Sequence, residues 1–197
     1  MTQAKPRFTT IEDYLNYDDG TDTPYELVDG ELVEMPPESR RNRKIASFLF
    51  AAFIRFGIPE DLLAIGTQIA VTSRENVTAR QPDLVVLSQE CAIALDGASS
   101  DVITQAMPNP AIVIEIVSPG NPGDRNYERD YVEKPREYAA RGIPEFWQVD
   151  PDRAVVRVLR LNGSSYQARE FRNGDRIVSL AFPDLQLTAE QILRAGR

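Results

Sequence analysis

Apolar residues repeat with helical spacing in the segment PPESRRNRKIASFLFAAFIRFG, residues 36–57. They occupy positions 45, 48, 49, 52, 53 and 56, which lie on one face of an α-helix. Gly57 follows the last of them and is a typical residue to end a helix. The segment YERDYVEKPREYAARG, residues 127–142, has a similar pattern and also ends at a glycine. Pro135 lies inside it, so we expect this second helix to be kinked or to restart with Pro135 in its first turn.

Strand patterns separate these two helices. The segments LLAIGTQIAVTS (62–73) and RQPDLVVLS (80–88) predict two strands, with RENVTA (74–79) as the turn between them. AIVIEIVSP (111–119) predicts a third strand that Pro119 ends, and EFWQVD (145–150) predicts a fourth. The order helix, three strands, helix, strand indicates a mixed β-sheet flanked by helices, which is an α/β fold.

Smaller elements flank this core. A short helix is predicted after the capping residue Thr10, and a hairpin is predicted around Asp29-Gly30. A second hairpin is expected to turn at Asn162-Gly163, and a short helix follows in TAEQILRAG (188–196). A length of 197 residues fits one domain. We therefore expect a single domain over 1–197, with its core at about 40–150, an acidic N-terminal helix and hairpin at 1–38, and a C-terminal hairpin and helix at 151–197.

One acidic residue breaks the most apolar strand. Glu115 stands within IVIEIV, where branched apolar residues occupy both alternating positions, as in a strand that is covered on both faces. A carboxylate buried there is costly unless it is paired, protonated or bound to a metal. Asp83 begins the preceding strand, so the two carboxylates meet at one sheet edge if the strands are neighbours. A divalent cation or an arginine partner would each satisfy them, and Asp83 after Pro82 also fits an ordinary turn residue.

Composition excludes several kinds of site. The chain has no histidine and one cysteine, which excludes Ser-His-Asp catalysis, histidine-ligated zinc and thiolate metal clusters. The remaining carboxylates suit hard cations such as Mg²⁺ or Mn²⁺. The single cysteine fits a reducing compartment, the first residues lack a signal-peptide pattern, and no apolar run is long enough to span a bilayer. We expect a cytoplasmic protein that does not act at a membrane.

The negative charge is concentrated at one end of the chain. Residues 1–38 hold ten acidic and two basic residues, which account for the whole net charge of −8. The rest of the chain is neutral and has local basic stretches, such as Arg40, Arg41, Arg43 and Lys44 at the start of the long helix. Such a body can bind DNA phosphates, although it attracts DNA weakly from a distance.

Four motifs in order resemble one known family. YELVDGELVEMPP, QPDLVVLS, IVIEIVSP and RDYVEKPREYAARGIPEFWQVDP resemble the Uma-two family of restriction endonucleases, within the PD-(D/E)xK nuclease superfamily. The resemblance implies a restriction-endonuclease-like core and Mg²⁺- or Mn²⁺-dependent hydrolysis of DNA by a homodimer. It implies that Asp83, Glu115 and the backbone carbonyl of Ile116 hold the metal. Val117 stands where the superfamily usually has its lysine, and the family pattern moves that role to Lys134. Glu26 matches the family's N-terminal glutamate.

Other interpretations of the same residues stay open. Lys134 could be an exposed partner of Asp130 four residues earlier, which contributes only a few tenths of a kcal/mol. The missing strand lysine also fits a nuclease-derived module that binds nucleic acid or a protein without cleaving. A third possibility is a protein-interaction domain that uses the acidic segment as its surface.

Overall fold

The computed structural model describes residues 6–18, 20–21, 23, 25–35, 37–72 and 76–197. Within these residues the α-helices span Ile11–Leu15 (α1), Arg40–Phe56 (α2), Gln89–Asp96 (α3), Arg125–Glu128 (α4), Lys134–Arg141 (α5) and Ala189–Arg194 (α6). A 3₁₀ turn lies at Glu60–Leu62 and a π-helical turn at Arg129–Glu133. None of the described helices combines the length and the apolar character that a membrane span requires.

The described strands form two mixed sheets. They span Tyr25–Val28 (β1), Glu31–Glu34 (β2), Leu63–Ala64 (β3), Gln68–Thr72 (β4), Val77–Arg80 (β5), Leu84–Val86 (β6), Val102–Ile103 (β7), Ile112–Ile116 (β8), Glu145–Asp150 (β9), Val155–Asn162 (β10) and Ser165–Phe171 (β11). One sheet has the order β2-β1-β5-β4-β7 and the other the order β11-β10-β9-β8-β6-β3. The expected α/β class is confirmed, but the chain forms two sheets where the pattern predicted one.

Strand β8 lies at the centre of the six-stranded sheet and is buried on both faces. It pairs with β6 in antiparallel and with β9 in parallel orientation. Ile112, Ile114 and Ile116 pack into an apolar cluster with helix α2, whereas Val113 packs into a second cluster that contains Tyr138 of α5. Because alternate strand residues share a face, Glu115 points to the α5 side together with Val113.

Helix α2 forms as its pattern predicts. The Ser39 hydroxyl accepts a hydrogen bond from the backbone N–H of Asn42, which caps the first turn, and Gly57 ends the helix with a φ of 99°. Ile45, Leu49 and Phe53 are fully buried on the face that meets the six-stranded sheet. The helix therefore covers one face of β8, and its solvent side is left for other contacts.

Three sequence predictions for the strands were wrong. RQPDLVVLS is not one strand, because β5 ends at Arg80 and β6 begins at Leu84. Pro82 between them has no amide hydrogen to continue a ladder. The expected turn RENVTA lies partly outside the described residues, and its last residues belong to β5. The second hairpin turns one residue later than predicted, because Asn162 pairs with Ser165 and leaves Gly163 and Ser164 as the loop.

Helix α3 was not predicted at all. Ser88 caps it by accepting a hydrogen bond from the backbone N–H of Cys91. The helix is short and buries only Cys91, so its sequence lacks the repeating apolar positions by which an amphipathic helix is predicted.

The predicted helix at 127–142 is divided at Pro135. It runs as α4, then as the π-helical turn, then as α5, with Pro135 in the first turn of α5. A proline ring clashes with the carbonyl four residues earlier in a regular helix, and a wider turn relieves that clash. The restart in the first turn is the second of the two expected outcomes. Gly142 ends α5 with a φ of 88°, as predicted.

Candidate active site

The strand register places Asp83 beside Glu115. Leu84 pairs with Ile114, so the residue before Leu84 lies next to the residue after Ile114. The carboxylate oxygen Oδ2 of Asp83 accepts a hydrogen bond of 2.7 Å from the backbone N–H of Ile116, which ties the start of β6 to the end of β8. The expectation that these strands are neighbours is therefore confirmed.

Both carboxylates line a cavity of about 340 Å³, which we call the carboxylate cleft. The charged residues in its wall are Glu26, Glu34, Glu38, Arg43, Asp83, Glu115, Arg129, Asp130 and Lys134. Ile116 also contributes to the wall. All five residues that the sequence singled out for the site thus lie around one space. A neighbouring cavity of about 420 Å³ shares Gly66 and Gln81 with the cleft, but its described lining contains no lysine or arginine.

Glu115 is held by two side chains of helix α5. Nζ of Lys134 lies 2.7 Å from Oε2, and the hydroxyl of Tyr138 donates a hydrogen bond of 2.8 Å to Oε1. All three residues are buried. Lys134 is therefore the positive charge that compensates Glu115, and its position after the π-helical turn does not displace it. The interpretation of Lys134 as an exposed surface residue was wrong.

Asp130 forms a second contact to the same amine. Its Oδ1 lies 3.5 Å from Nζ of Lys134. Arg129 donates hydrogen bonds of 2.7 and 3.0 Å to the two oxygens of Asp130, and the backbone N–H of Ser118 donates another of 3.0 Å. Lys134 thus lies between two buried carboxylates, and Asp130 connects it to the segment that follows β8.

Arg80 fixes Glu26 and the helix that carries Lys134. Its buried guanidinium donates hydrogen bonds of 2.7 and 2.9 Å to Glu137, one of 3.1 Å to Glu133 and one of 3.4 Å to Glu26. The other oxygen of Glu26 accepts a hydrogen bond of 3.1 Å from the backbone N–H of Gln81. Glu26 is therefore buried, unlike most acids of the N-terminal segment, and both of its oxygens have partners.

The pKa values of Asp83 and Glu115 are shifted in the opposite direction to that of Asp130. Burial, and next the charge of Glu115, raise the pKa of Asp83 to about 8, against the lowering effect of the Ile116 N–H. Burial also raises the pKa of Glu115, although Lys134 opposes the shift. Burial alone would raise the pKa of Asp130 as well, but Lys134 and Arg129 outweigh it and lower that pKa. Burial alone would lower the pKa of Lys134. The negative charges of Glu115 and, next, Glu26 outweigh this effect, and the pKa is raised.

The oxygen donors of the cleft suit a hard cation only in part. Mg²⁺ in proteins is commonly held by one or two carboxylates together with waters, and Asp83 and Glu115 supply two carboxylates whose repulsion a cation would relieve. Among the described residues no cluster of three or more acidic or thiol side chains is already arranged around one point. Glu115 also uses both oxygens for Lys134 and Tyr138. The donor type fits Mg²⁺ or Mn²⁺, and Glu115 would have to share its oxygens.

Comparisons with known proteins identify the family and the fold of the chain. The family model Uma2, described as "Putative restriction endonuclease", matches residues 11–190. The chain belongs to the Uma2 family. A crystal structure from Anabaena variabilis, described as "a putative nuclease belonging to DUF820", has a TM-score of 0.71 and 17% identity, and covers 96% of this chain and 100% of its own. The two chains share one overall fold, which is consistent with the expected restriction-endonuclease-like fold. The comparison with curated proteins found no match.

Sequence reasoning missed one main residue of the Uma2 site. Nothing in the pattern around Arg80 distinguishes a buried guanidinium from an exposed one, because Arg80 is the last residue of a short strand and is followed by the polar Gln81. Sequence spacing grouped Asp130 with Lys134 and Tyr138 on one helical face, but the only role considered for Asp130 was that of a surface partner of Lys134. The spacing of Asp130, Lys134 and Tyr138 did contain the signal, since residues four apart share a helical face.

The raised pKa of Asp83 predicts a pH-dependent stability difference. Between about pH 4 and pH 8 the folded protein keeps a proton on Asp83 that the unfolded chain, with a pKa near 3.8, releases. Wild-type stability therefore falls as the pH rises through this range. Asp83→Asn has no titratable proton at this position, so this fall should be absent from it. In urea unfolding without metal, the free energy of unfolding of Asp83→Asn should increase relative to that of the wild type by up to about 1.4 kcal/mol for each unit of pH. A constant difference between the two proteins would contradict the shift.

Removal of Arg80 should destabilise the protein strongly. Arg80→Met keeps the length of the side chain but leaves Glu137 and Glu26 buried without their cation, so we expect a loss of about 3–5 kcal/mol in urea unfolding. Arg41→Met is a matched control, because Arg41 pairs with Asp152 at the surface and should cost at most about 1 kcal/mol. If both variants lose the same small amount, Arg80 does not hold the site together.

Proposed function

We propose that this Uma2 protein is a metal-dependent endonuclease that hydrolyses DNA phosphodiester bonds. The observation that supports the proposal most directly is the contact between Lys134 and Glu115 beside Asp83. These three residues correspond to the two acids and the lysine of the family pattern, and they meet in one cleft although Lys134 lies on a helix rather than on β8. The description of the family model points to the same activity.

Asp83, Glu115 and the backbone carbonyl of Ile116 would hold Mg²⁺ or Mn²⁺. When bound, the ion would supply positive charge for the developing charge on a phosphoryl oxygen and would acidify a water molecule. Asp83 is fixed by the Ile116 N–H through one oxygen. Tyr138 fixes the orientation of Glu115 from the other side of its carboxylate.

Lys134 would orient the attacking water and stabilise the transition state through its charge. Its raised pKa means that it carries its proton at neutral pH in the metal-free protein. This charge state favours electrostatic stabilisation over removal of a proton from water. Asp130 keeps the amine next to Glu115 through its own contact.

Glu26 would act by positioning other groups. Its oxygens are bonded to Arg80 and to the Gln81 N–H, two residues before Asp83. It thereby fixes the chain that leads into the metal-binding residue, and it adds negative charge to the cleft. This role is more modest than that of a catalytic member of the acidic cluster, which the match to the family's N-terminal glutamate implies.

A second candidate function is a module that binds nucleic acid without cleaving it. The observation in its favour is that Lys134 and Tyr138 occupy both oxygens of Glu115, while the described residues form no ready cluster of three acidic ligands. In such a module the ion pair would serve stability and fold specificity alone. Metal binding and cleavage separate the two candidates.

Metal binding should stabilise the folded protein. Addition of Mn²⁺ or Mg²⁺ after removal of metals with EDTA should raise the Tm of the wild type, because the ion binds the folded cleft and replaces the proton that Asp83 otherwise keeps. Asp83→Asn should lose this increase. Asp152→Asn is the matched control, since Asp152 is an exposed acid that pairs with Arg41 outside the cleft. Equal increases in the wild type and Asp83→Asn would reject the metal site.

Cleavage should depend on both members of the buried pair. Incubation of supercoiled plasmid with the wild type and Mn²⁺ or Mg²⁺ should give nicked and linear products. Glu115→Gln and Lys134→Met should each reduce the rate by at least about 100-fold, because the first removes the charge that would hold the metal and the second removes a positive charge beside the reacting phosphate. Lys134→Met also leaves two buried carboxylates without their amine, so its fold must be verified by circular dichroism at the assay temperature.

A rescue variant distinguishes a catalytic lysine from a structural one. Val117 is two residues after Glu115 on the same strand face, about 6.6 Å away. Val117→Lys in the Lys134→Met background should restore part of the cleavage if an amine near Glu115 is what the reaction needs. Full cleavage by Lys134→Met alone would contradict the proposed role, and absence of cleavage by a metal-bound wild type would favour the non-cleaving module.

A further inference from the structure

The carboxylate cleft presents a charge problem to a DNA substrate. Six of its described residues are acids, and a phosphodiester that enters must approach them. The cations in its wall are Arg43, Arg129 and Lys134. Arg129 is paired with Asp130, and Lys134 is paired with Glu115 and Asp130. These two charges are already engaged inside the protein.

Arg43 differs from the other two cations. Its side chain is exposed on helix α2, and among the residues that the structure describes it has no ion pair and no side-chain hydrogen bond. Arg43 also lines a second, more open groove of about 530 Å³ together with Arg40, Lys44, Ser47, Phe48 and Ala195. None of the described residues that line this groove is an acid, so Arg43 stands at the boundary between an acidic cleft and a basic surface.

The helix geometry divides the basic stretch into two parts. Residues 40, 43, 44 and 47 are three or four apart and share one face of α2. Arg41 points elsewhere, because its guanidinium donates hydrogen bonds to Asp152 and to the backbone carbonyl of Pro151. Lys44 also lies on this face, and its amine donates a hydrogen bond to the main-chain oxygen of Arg197. We call the face formed by Arg40, Arg43, Lys44 and Ser47 the basic α2 face.

Placing these charges here is unfavourable for the helix itself. The first turn of α2 contains Arg40, Arg41 and Arg43 and no acid, although the positive end of the helix dipole favours acids at this position. Arg40 and Arg43 gain no internal partner in return among the described residues. A ligand with negative charge that spans the groove and the mouth of the cleft would complement them.

We propose that the basic α2 face binds the phosphodiester backbone of DNA next to the carboxylate cleft. Arg43 contacts the phosphate nearest to the reacting one, and Arg40 and Lys44 contact the backbone farther along the groove. The proposal rests on the proposed function, since it assigns a path to the substrate of the same cleft. The surface contributes affinity through charge and reads no base sequence.

The test measures DNA binding without cleavage. A short fluorescein-labelled duplex is titrated with protein in EDTA at a series of KCl concentrations, and anisotropy gives the Kd. Arg43→Gln should weaken binding by about tenfold. Each lost phosphate contact should also lower the slope of log Kd against log[KCl] by about 0.9. Arg40→Gln combined with Arg43→Gln should lower that slope further.

Arg55→Gln is the matched control. Arg55 lies on the same helix and its change removes the same charge, but it lines a different cavity near Phe56 and Leu187. Its Kd and slope should equal those of the wild type. Equal effects of Arg43→Gln and Arg55→Gln would overturn the proposal, as would a wild type that does not bind the duplex. A fluorescent polyglutamate peptide that binds as tightly as DNA, with the same dependence on Arg43, would identify an acidic-peptide site instead and would also overturn it.

These outcomes are independent of catalysis. A wild type that binds DNA through Arg43 but never cleaves it would refute the endonuclease and leave the basic α2 face supported. A protein that cleaves DNA while Arg43→Gln binds it like the wild type would support the endonuclease and refute the basic α2 face.

Discussion

The buried contact between Lys134 and Glu115 is the interaction on which the site depends. A strand that is covered on both faces cannot keep an ionised carboxylate without a partner, because the loss of hydration costs several kcal/mol. The partner comes from helix α5, and this fixes where the helix must pack. Val113 and Tyr138 lie in the same apolar cluster, so the contacts that bury Glu115 also bring Lys134 to it. Packing and charge compensation therefore require the same position of α5.

The helix reaches this position through two features of its own sequence. The π-helical turn at Arg129–Glu133 lets the chain pass Pro135 and begin α5 with Lys134 directed at Glu115. Arg80 then ties this part of the chain to the five-stranded sheet, through Glu133 of the π-helical turn and Glu137 of α5. The same guanidinium contacts Glu26, which lines the cleft. The five-stranded sheet therefore positions both helix α5 and one wall of the cleft. Buried ion pairs of this kind contribute little net stability, but loss of one partner is costly, and that asymmetry favours one arrangement of the helix over others.

The sequence predicted the parts of this site that have a local periodic signal. Glu115 within a doubly apolar strand, and Asp130, Lys134 and Tyr138 four residues apart, each mark one face of one element. Their meeting depended on the family resemblance, because periodicity does not say which strand a helix packs on. Arg80 had no signal, since its partners are separated from it by more than fifty residues in the chain. Helix α3 and the division of RQPDLVVLS were missed because short elements with few buried residues carry little pattern.

A lysine on the helix differs physically from one on the strand. Position 117 directly follows β8, and a lysine there would have Glu115 as its neighbour two residues earlier, about 6.6 Å away in an extended chain. On the helix, Asp130 lies one turn before Lys134 and Tyr138 one turn after it, so a carboxylate, an amine and a hydroxyl form a row against the sheet. Asp130 touches the amine and Tyr138 touches the second oxygen of Glu115. The helix thus orients both members of the pair, whereas a strand lysine would leave one oxygen of Glu115 for another element to satisfy.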